Sequence, residues 1–109
     1  MNLPEIINRL LQAQNHLDNR AYADCFAETA VVYDEDAMHE GKEQIRQWNE
    51  ATNDKYQTVL EPIDFSQDGN KAVLTAKVSG TFEGSPILLD YHFEMENGLI
   101  KSLEITIHQ

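Results

Sequence analysis

Cysteine is almost absent from this chain. Cys25 is the single one in 109 residues, which excludes an internal disulfide and any cysteine-based zinc site. Positive charge is scarce as well. Eight Lys and Arg face nineteen Asp and Glu, a formal net charge of −11, and the eight are scattered along the chain. Phosphate backbones and anionic membranes repel such a surface, so neither nucleic acid nor a membrane is expected as a partner. No apolar run approaches the ~20 residues of a membrane span. The opening MNLPEIINRLL is amphipathic and contains Glu5. It has no basic segment followed by a small-residue cleavage site, as a secretory signal would. A reducing, cytoplasmic location is the expectation. P-loop, dinucleotide and Ser-His-Asp patterns are missing, and no cofactor is expected.

The length suits one domain spanning residues 1–109. A chain of this size buries roughly 65% of its unfolded surface, enough for one core or a core with a modest cavity.

Leu3, Ile6, Ile7, Leu10, Leu11 and Leu17 recur at helical spacing, which predicts a first helix to about His16. Asn2 with Glu5 suggests a capping box. Gln14 falls on the apolar line of that helix; the alternatives are a partly exposed helix end or an amide facing a pocket, where a ligand would supply partners. Asp18 is a good N-cap for a short second helix, with Leu17 and Tyr22 placed as a hydrophobic staple. Tyr22, Cys25 and Phe26 form its apolar side, so Cys25 reads as core. Ala30 to Asp34 is rich in β-branched residues and predicts a strand. Val32 and Asp34 share one of its faces. From Lys42 to about Asn53, Ile45, Trp48 and Thr52 form the narrow apolar stripe of a third helix.

The remainder reads as sheet, with strands near 56–65, 71–82, 86–96 and 99–107. Asp68-Gly69 and Asn97-Gly98 are hairpin signals, and Glu83-Gly84-Ser85-Pro86 is a third turn. Pro62 implies an edge strand or a bulge. Ala72, Leu74, Ala76, Val78, Gly80 and Phe82 alternate with polar residues, as do Ile87, Leu89, Tyr91, Phe93 and Met95, and then Leu103, Ile105 and Ile107. One sheet face is therefore apolar and must be covered by the three helices. The expected fold is α+β: three N-terminal helices on a strongly curved, mainly antiparallel sheet, a cone-like barrel. Small residues at 72, 76 and 80 on the concave side leave space for an internal pocket.

This order resembles the SnoaL-like branch of the nuclear transport factor 2-like superfamily. The residues that carry the resemblance are NHLDNRAYADCFAETAVVYD (15–34), GKEQIRQW (41–48), FEGSP (82–86) and YHFEMENGLIKSLEI (91–105). The resemblance implies a cone of strands closed by helices. It does not choose an activity, because that superfamily holds ketosteroid isomerases, polyketide cyclases, dehydratases, epoxide hydrolases and non-catalytic transport and association domains. Laid against ketosteroid isomerase, Asp34 falls on the general base and Trp48 on an aromatic of the steroid cavity. Tyr91 falls where the isomerase keeps a protonated aspartate. Leu10 falls where it has its oxyanion tyrosine, a departure that removes one donor. Such a loss costs about a hundred- to a thousandfold in rate.

From the residues themselves, Asp34 follows inward-facing Val32 and should enter the cavity, where an apolar environment raises a carboxyl pKa toward the range useful for proton shuttling. Asp34 is then the candidate base and Tyr91 the candidate donor. Gln14, Val32, Met38, Trp48, Phe82 and Phe93 are the expected ligand-binding walls, although Tyr22, Tyr33, Phe82 and Phe93 also fit the ordinary content of a core. The run Asp34, Glu35, Asp36 with His39 lacks the EF-hand pattern, and the four histidines are too dispersed for zinc, so no metal is expected. The first expectation is a protein that binds a small apolar or mildly polar molecule and transfers a proton on a carbonyl compound by isomerisation, cyclisation or dehydration. The alternative is a ligand-binding or association module without turnover. Thr75, Ser79, Thr81, Leu88, His92 and Thr106 give the outer sheet face a mildly polar character, and a homodimer through that face is expected.

Overall fold

The computed structural model describes residues 1–34 and 36–109. Its first helix, α1 (Glu5–Asn15), buries Ile6, Ile7, Leu10, Leu11, Ala13 and Gln14. The expected Asn2–Glu5 capping box does not form. Pro4 is the N-cap, which makes Glu5 the first helical residue, too early to reach back to the cap. The Pro4 carbonyl instead accepts from the Ile7 and Asn8 amides at 3.0 and 3.1 Å. The second helix, α2 (Asn19–Asp24), is capped as expected: the Asp18 carboxylate accepts from the Ala21 amide at 3.0 Å. Leu17 sits at φ 55° and is 43% exposed, whereas Tyr22, its expected staple partner, is buried. Cys25 is buried beneath α2, with Sγ 3.4 Å from the Ala21 carbonyl. Burial pushes its thiol up to about 11, which leaves a packing residue and a poor nucleophile at neutral pH.

β1 (Phe26–Asp34) begins earlier than the expected Ala30 and is followed by the short β2 (Ala37–Glu40). The third helix, α3 (Gly41–Tyr56), outruns its expected end at Asn53 and stops at Gln57, which takes a left-handed φ of 52°. Its buried residues are Ile45, Asn49 and Asn53, a stripe one position removed from the expected Trp48 and Thr52.

Four strands complete the sheet: β3 (Val59–Asp68), β4 (Lys71–Ser79), β5 (Ile87–Glu96) and β6 (Leu99–Ile107). The order across it is β2-β1-β6-β5-β4-β3. Every pairing is antiparallel except β1 with β6. The sheet is curved but unclosed, so the cone has two free edges, β2 and β3. Pro62 lies on the β3 edge, and the register shifts between Pro62 and Asp64; edge and bulge are both realised. The β3–β4 loop is Gly69-Asn70 rather than Asp68-Gly69, because Asp68 still pairs with Lys71. Asn97 and Gly98 both have positive φ, 54° and 78°, as a type I′ turn requires.

Phe26, Ile7, Leu10, Ile45, Leu74, Ile100, Leu103 and Val32 are the largest side chains removed entirely from solvent. Each contributes about 1.5–3 kcal/mol of burial. They fill one half of the concave face. Over the other half, the end of α3 holds the rim of the sheet: the Thr81 amide donates to the Tyr56 carbonyl at 2.7 Å, and Tyr56 meets Phe82 edge to face at 5.8 Å. Gly80 is needed there, since a Cβ would lie 2.5 Å from that same carbonyl.

Candidate functional site

The unfilled half of the concave face is a cavity of about 820 Å³. Its walls come from every layer of the fold. β1 delivers Asp34, β2 delivers Ala37 and His39, α3 delivers Trp48, Asn49 and Tyr56, and β4 and β5 deliver Val78, Leu89 and Tyr91. Gln14 reaches it from α1 and Tyr22 from α2.

Asp34 is the last residue of β1, on the same face as Val32, and strand alternation brings its carboxylate to the cavity wall. The Trp48 indole Nε1 donates to Asp34 Oδ2 at 3.3 Å. His39 stacks on Trp48 at 5.3 Å between ring centroids, and Tyr22 lies 6.2 Å away on a tilted plane. Two rings thus fix the direction in which the indole N–H points, and through it the carboxylate.

Tyr91 faces this group from β5 and stacks on Phe93 at 6.3 Å. Burial, with the Asp34 charge adding to it, holds the Tyr91 phenol well above its ordinary value. Burial also dominates at Tyr22, followed by the charges of Tyr91, Cys25 and Asp34, again upward. Both phenols therefore remain O–H donors at neutral pH. Neither hydroxyl has a hydrogen-bond partner among the described residues, and neither is sealed from solvent, so both are available to a molecule in the cavity. A raised folded-state value contributes stability that is complete below the unfolded tyrosine value of about 10 and is lost as the pH rises through the folded values. Denaturant midpoints should accordingly fall with pH above about 10, and fall less steeply in a Tyr22→Phe, Tyr91→Phe double variant.

Asp34, Tyr91, Gln14, Trp48 and Phe82 all line the cavity. The other three expected wall residues do not. Val32 and Phe93 have the right parity but lie deeper along their strands, where the helices fill the space, and both are buried core. Met38 is 51% exposed. It pairs with Tyr33, whereas His39 pairs with Val32 and Ala37 with Asp34, so His39 and Ala37 are the β2 residues that share the inward face. Glu35, one of the acidic residues weighed as a metal loop, lies outside the described residues.

Two features were not read from the sequence. Tyr22 is core, as expected, but it also lines the cavity, whereas Leu10 is core alone. Asn49 and Asn53 are buried, although Ile45, Asn49 and Asn53 at i, i+4 and i+8 share one helix face, which was a signal available in the sequence. Asn53 Oδ1 lies 2.7 Å from Gln14 Nε2, and both asparagines donate to Asn19 Oδ1 at 2.9 Å.

The SnoaL-like domain model matches residues 7–103. A candidate polyketide cyclase from Sinorhizobium meliloti is 42% identical, with 95% of each chain covered and a TM-score of 0.92. A protein from Catenulispora acidiphila with a ketosteroid isomerase-like fold, solved with trimethylamine, is 20% identical over 96% of this chain and 86% of its own, with a TM-score of 0.88. The epoxide hydrolase/cyclase-like enzyme SalBIII, which has a role in pyran ring formation in salinomycin, is 22% identical over 96% of this chain and 89% of its own, with a TM-score of 0.82. The last two show the fold alone. No functionally curated protein matches the chain. No helix among the described residues is long and apolar enough to cross a membrane. With the family model spanning most of its length and a 42% identical structure covering nearly all of both chains, this chain belongs to the SnoaL-like domain family.

Proposed function

We propose that the cavity binds a small carbonyl compound and that Asp34 moves a proton on it, in an isomerisation, cyclisation or dehydration. The observation that carries this is the Trp48–Asp34 hydrogen bond in a cavity that also presents two protonated phenols. The ionised Asp34 carboxylate takes a proton from the carbon next to the carbonyl. The C–H electron pair moves into the C–C bond, and the carbonyl π pair moves onto oxygen. Tyr91, joined by Tyr22, donates hydrogen bonds to that oxygen as its charge develops. The proton held on Asp34 then returns to carbon, at the same or a conjugated position, and regenerates the carboxylate. The description of the Sinorhizobium meliloti relative as a candidate polyketide cyclase supports this class of chemistry.

β-Tetralone, an apolar ketone with acidic α-hydrogens, is a suitable probe. Its α-hydrogens should exchange with deuterium oxide faster in the presence of the protein, and an Asp34→Asn variant should lose the acceleration. Equal exchange with and without the wild-type protein would reject proton transfer. A homodimer through the outer sheet face is part of the same proposal. Sedimentation at micromolar concentration should give twice the subunit mass, and the mass of one subunit would reject it.

A further inference from the structure

One side of the cavity, between α1 and α3, is polar, and its polarity has a direction. Gln14 and Asn49 are each 3% exposed, and both line the cavity. Gln14 Nε2 lies 3.0 Å from the Thr58 main-chain carbonyl and 2.7 Å from both Thr58 Oγ1 and Asn53 Oδ1. A main-chain carbonyl can only accept. The nitrogen of Gln14 must therefore face Thr58, and this one contact orients the rest of the network, where amide nitrogen and oxygen would otherwise be interchangeable. Asn53 must turn its oxygen toward the Gln14 nitrogen, which leaves its own nitrogen to donate to Asn19 Oδ1 at 2.9 Å. Asn49 Nδ2 donates to the same oxygen, also at 2.9 Å. The Thr58 hydroxyl donates to Asn53 Oδ1 at 3.3 Å.

The N–H groups that Gln14, Asn49 and Asn53 commit here are thus directed into the protein. The oxygens left over are Gln14 Oε1 and Asn49 Oδ1. Neither has a partner among the described residues, and no partnerless side-chain oxygen among them is sealed from solvent. Both residues line the cavity, so two partnerless carbonyl acceptors, on side chains almost wholly buried, are left at its wall, within reach of a bound molecule that displaces water from them.

We infer that the ligand carries a hydroxyl or N–H group, separate from its carbonyl, that donates to Gln14 Oε1 and Asn49 Oδ1. An ether, a second ketone or a carboxylate in that place would set acceptor against acceptor, and a site built to meet a donor rejects an analogue that lacks one. This rests on the reading of the cavity as a site for small carbonyl compounds.

Ring-hydroxylated β-tetralone and its methyl ether differ in that one donor. Their binding can be followed by quenching of Trp48, the single tryptophan of the chain. The wild type should bind the phenol roughly tenfold more tightly, the upper end for one neutral hydrogen bond, and Asn49→Leu and Gln14→Met should bring the two affinities together. Equal affinities in the wild type, a preference for the ether, or no binding of either probe would overturn the inference even if both variants failed to fold. A preference that survives unchanged in both folded variants would overturn the assignment to these two oxygens. Deuterium exchange into the bound probes separates the two proposals. Exchange without preference rejects the donor group and leaves proton transfer standing, and preference without exchange does the reverse.

Discussion

Asp34→Asn should lower the rate of α-hydrogen exchange into bound β-tetralone by about a hundred- to ten-thousandfold, the range that a positioned general base contributes. The substitution keeps the shape of the side chain and removes its ability to take a proton. An amide oxygen can still accept from the Trp48 indole, which lies 3.3 Å from the carboxylate, so the ring cluster of Trp48, His39 and Tyr22 retains its anchor. Asp34 is at the end of its strand and only half-buried, so the isosteric amide is accommodated without a new buried charge or cavity. Binding, read from Trp48 fluorescence, should therefore survive while exchange is lost. Exchange at the wild-type rate in the folded variant would remove Asp34 from the reaction altogether.

The largest effect on stability at the site is expected from Asn53→Leu. Asn53 is buried; its oxygen accepts from Gln14 and Thr58, and its nitrogen donates to Asn19. Leucine forfeits these bonds, each contributing about 1 kcal/mol net, and places a branched apolar group against the remaining amides. Gln14 and Asn49 retain other partners, Thr58 and Asn19, which limits the damage. The expected loss is about 2–4 kcal/mol, a large share of the roughly 5–15 kcal/mol that holds such a domain together. It corresponds to a fall of about 10–25 °C in Tm. Chemical denaturation measures it directly. A loss under about 1 kcal/mol would mean that the asparagine is not the hub of the network.

Residues whose position follows from local periodicity were legible in the sequence, and residues whose environment depends on distant packing were not. Alternation on β1 put Asp34 on the inward face, while helical spacing on α3 put the buried stripe one position away from where it lies, on Trp48 rather than Asn49. Turn chemistry at Asn97-Gly98 and the proline at position 62 located a hairpin and an edge. Parity could not say how far along each strand the helices fill the concave face, and so it could not separate Tyr91, at the cavity, from Phe93, two residues away in the core. The β2 pair failed for a different reason. A four-residue strand has no periodic pattern of its own, and only its register with β1 shows that His39, not Met38, turns inward. Asn49 and Asn53 went unread because polar residues on a helix are ordinarily solvated, and it takes the amides of Gln14 and Asn19, distant in sequence, together with Thr58, to make their burial tolerable. The cone was legible as a fold, but its openness was not, since closure depends on whether the edge strands β2 and β3 meet.

The parallel pairing of β1 with β6 has a consequence for the order of folding. Val32 lies opposite Leu103, roughly seventy residues away in the chain, whereas the other neighbours in the sheet are joined by short turns or a single hairpin. Closing so long a loop is entropically late compared with zipping a hairpin. The β3–β6 meander can therefore assemble first, and β1, with its local partner β2, joins that sheet only when β6 is available to receive it. Asp34, two residues beyond Val32 on the same strand, thus reaches its place against the main sheet only after β6 has formed.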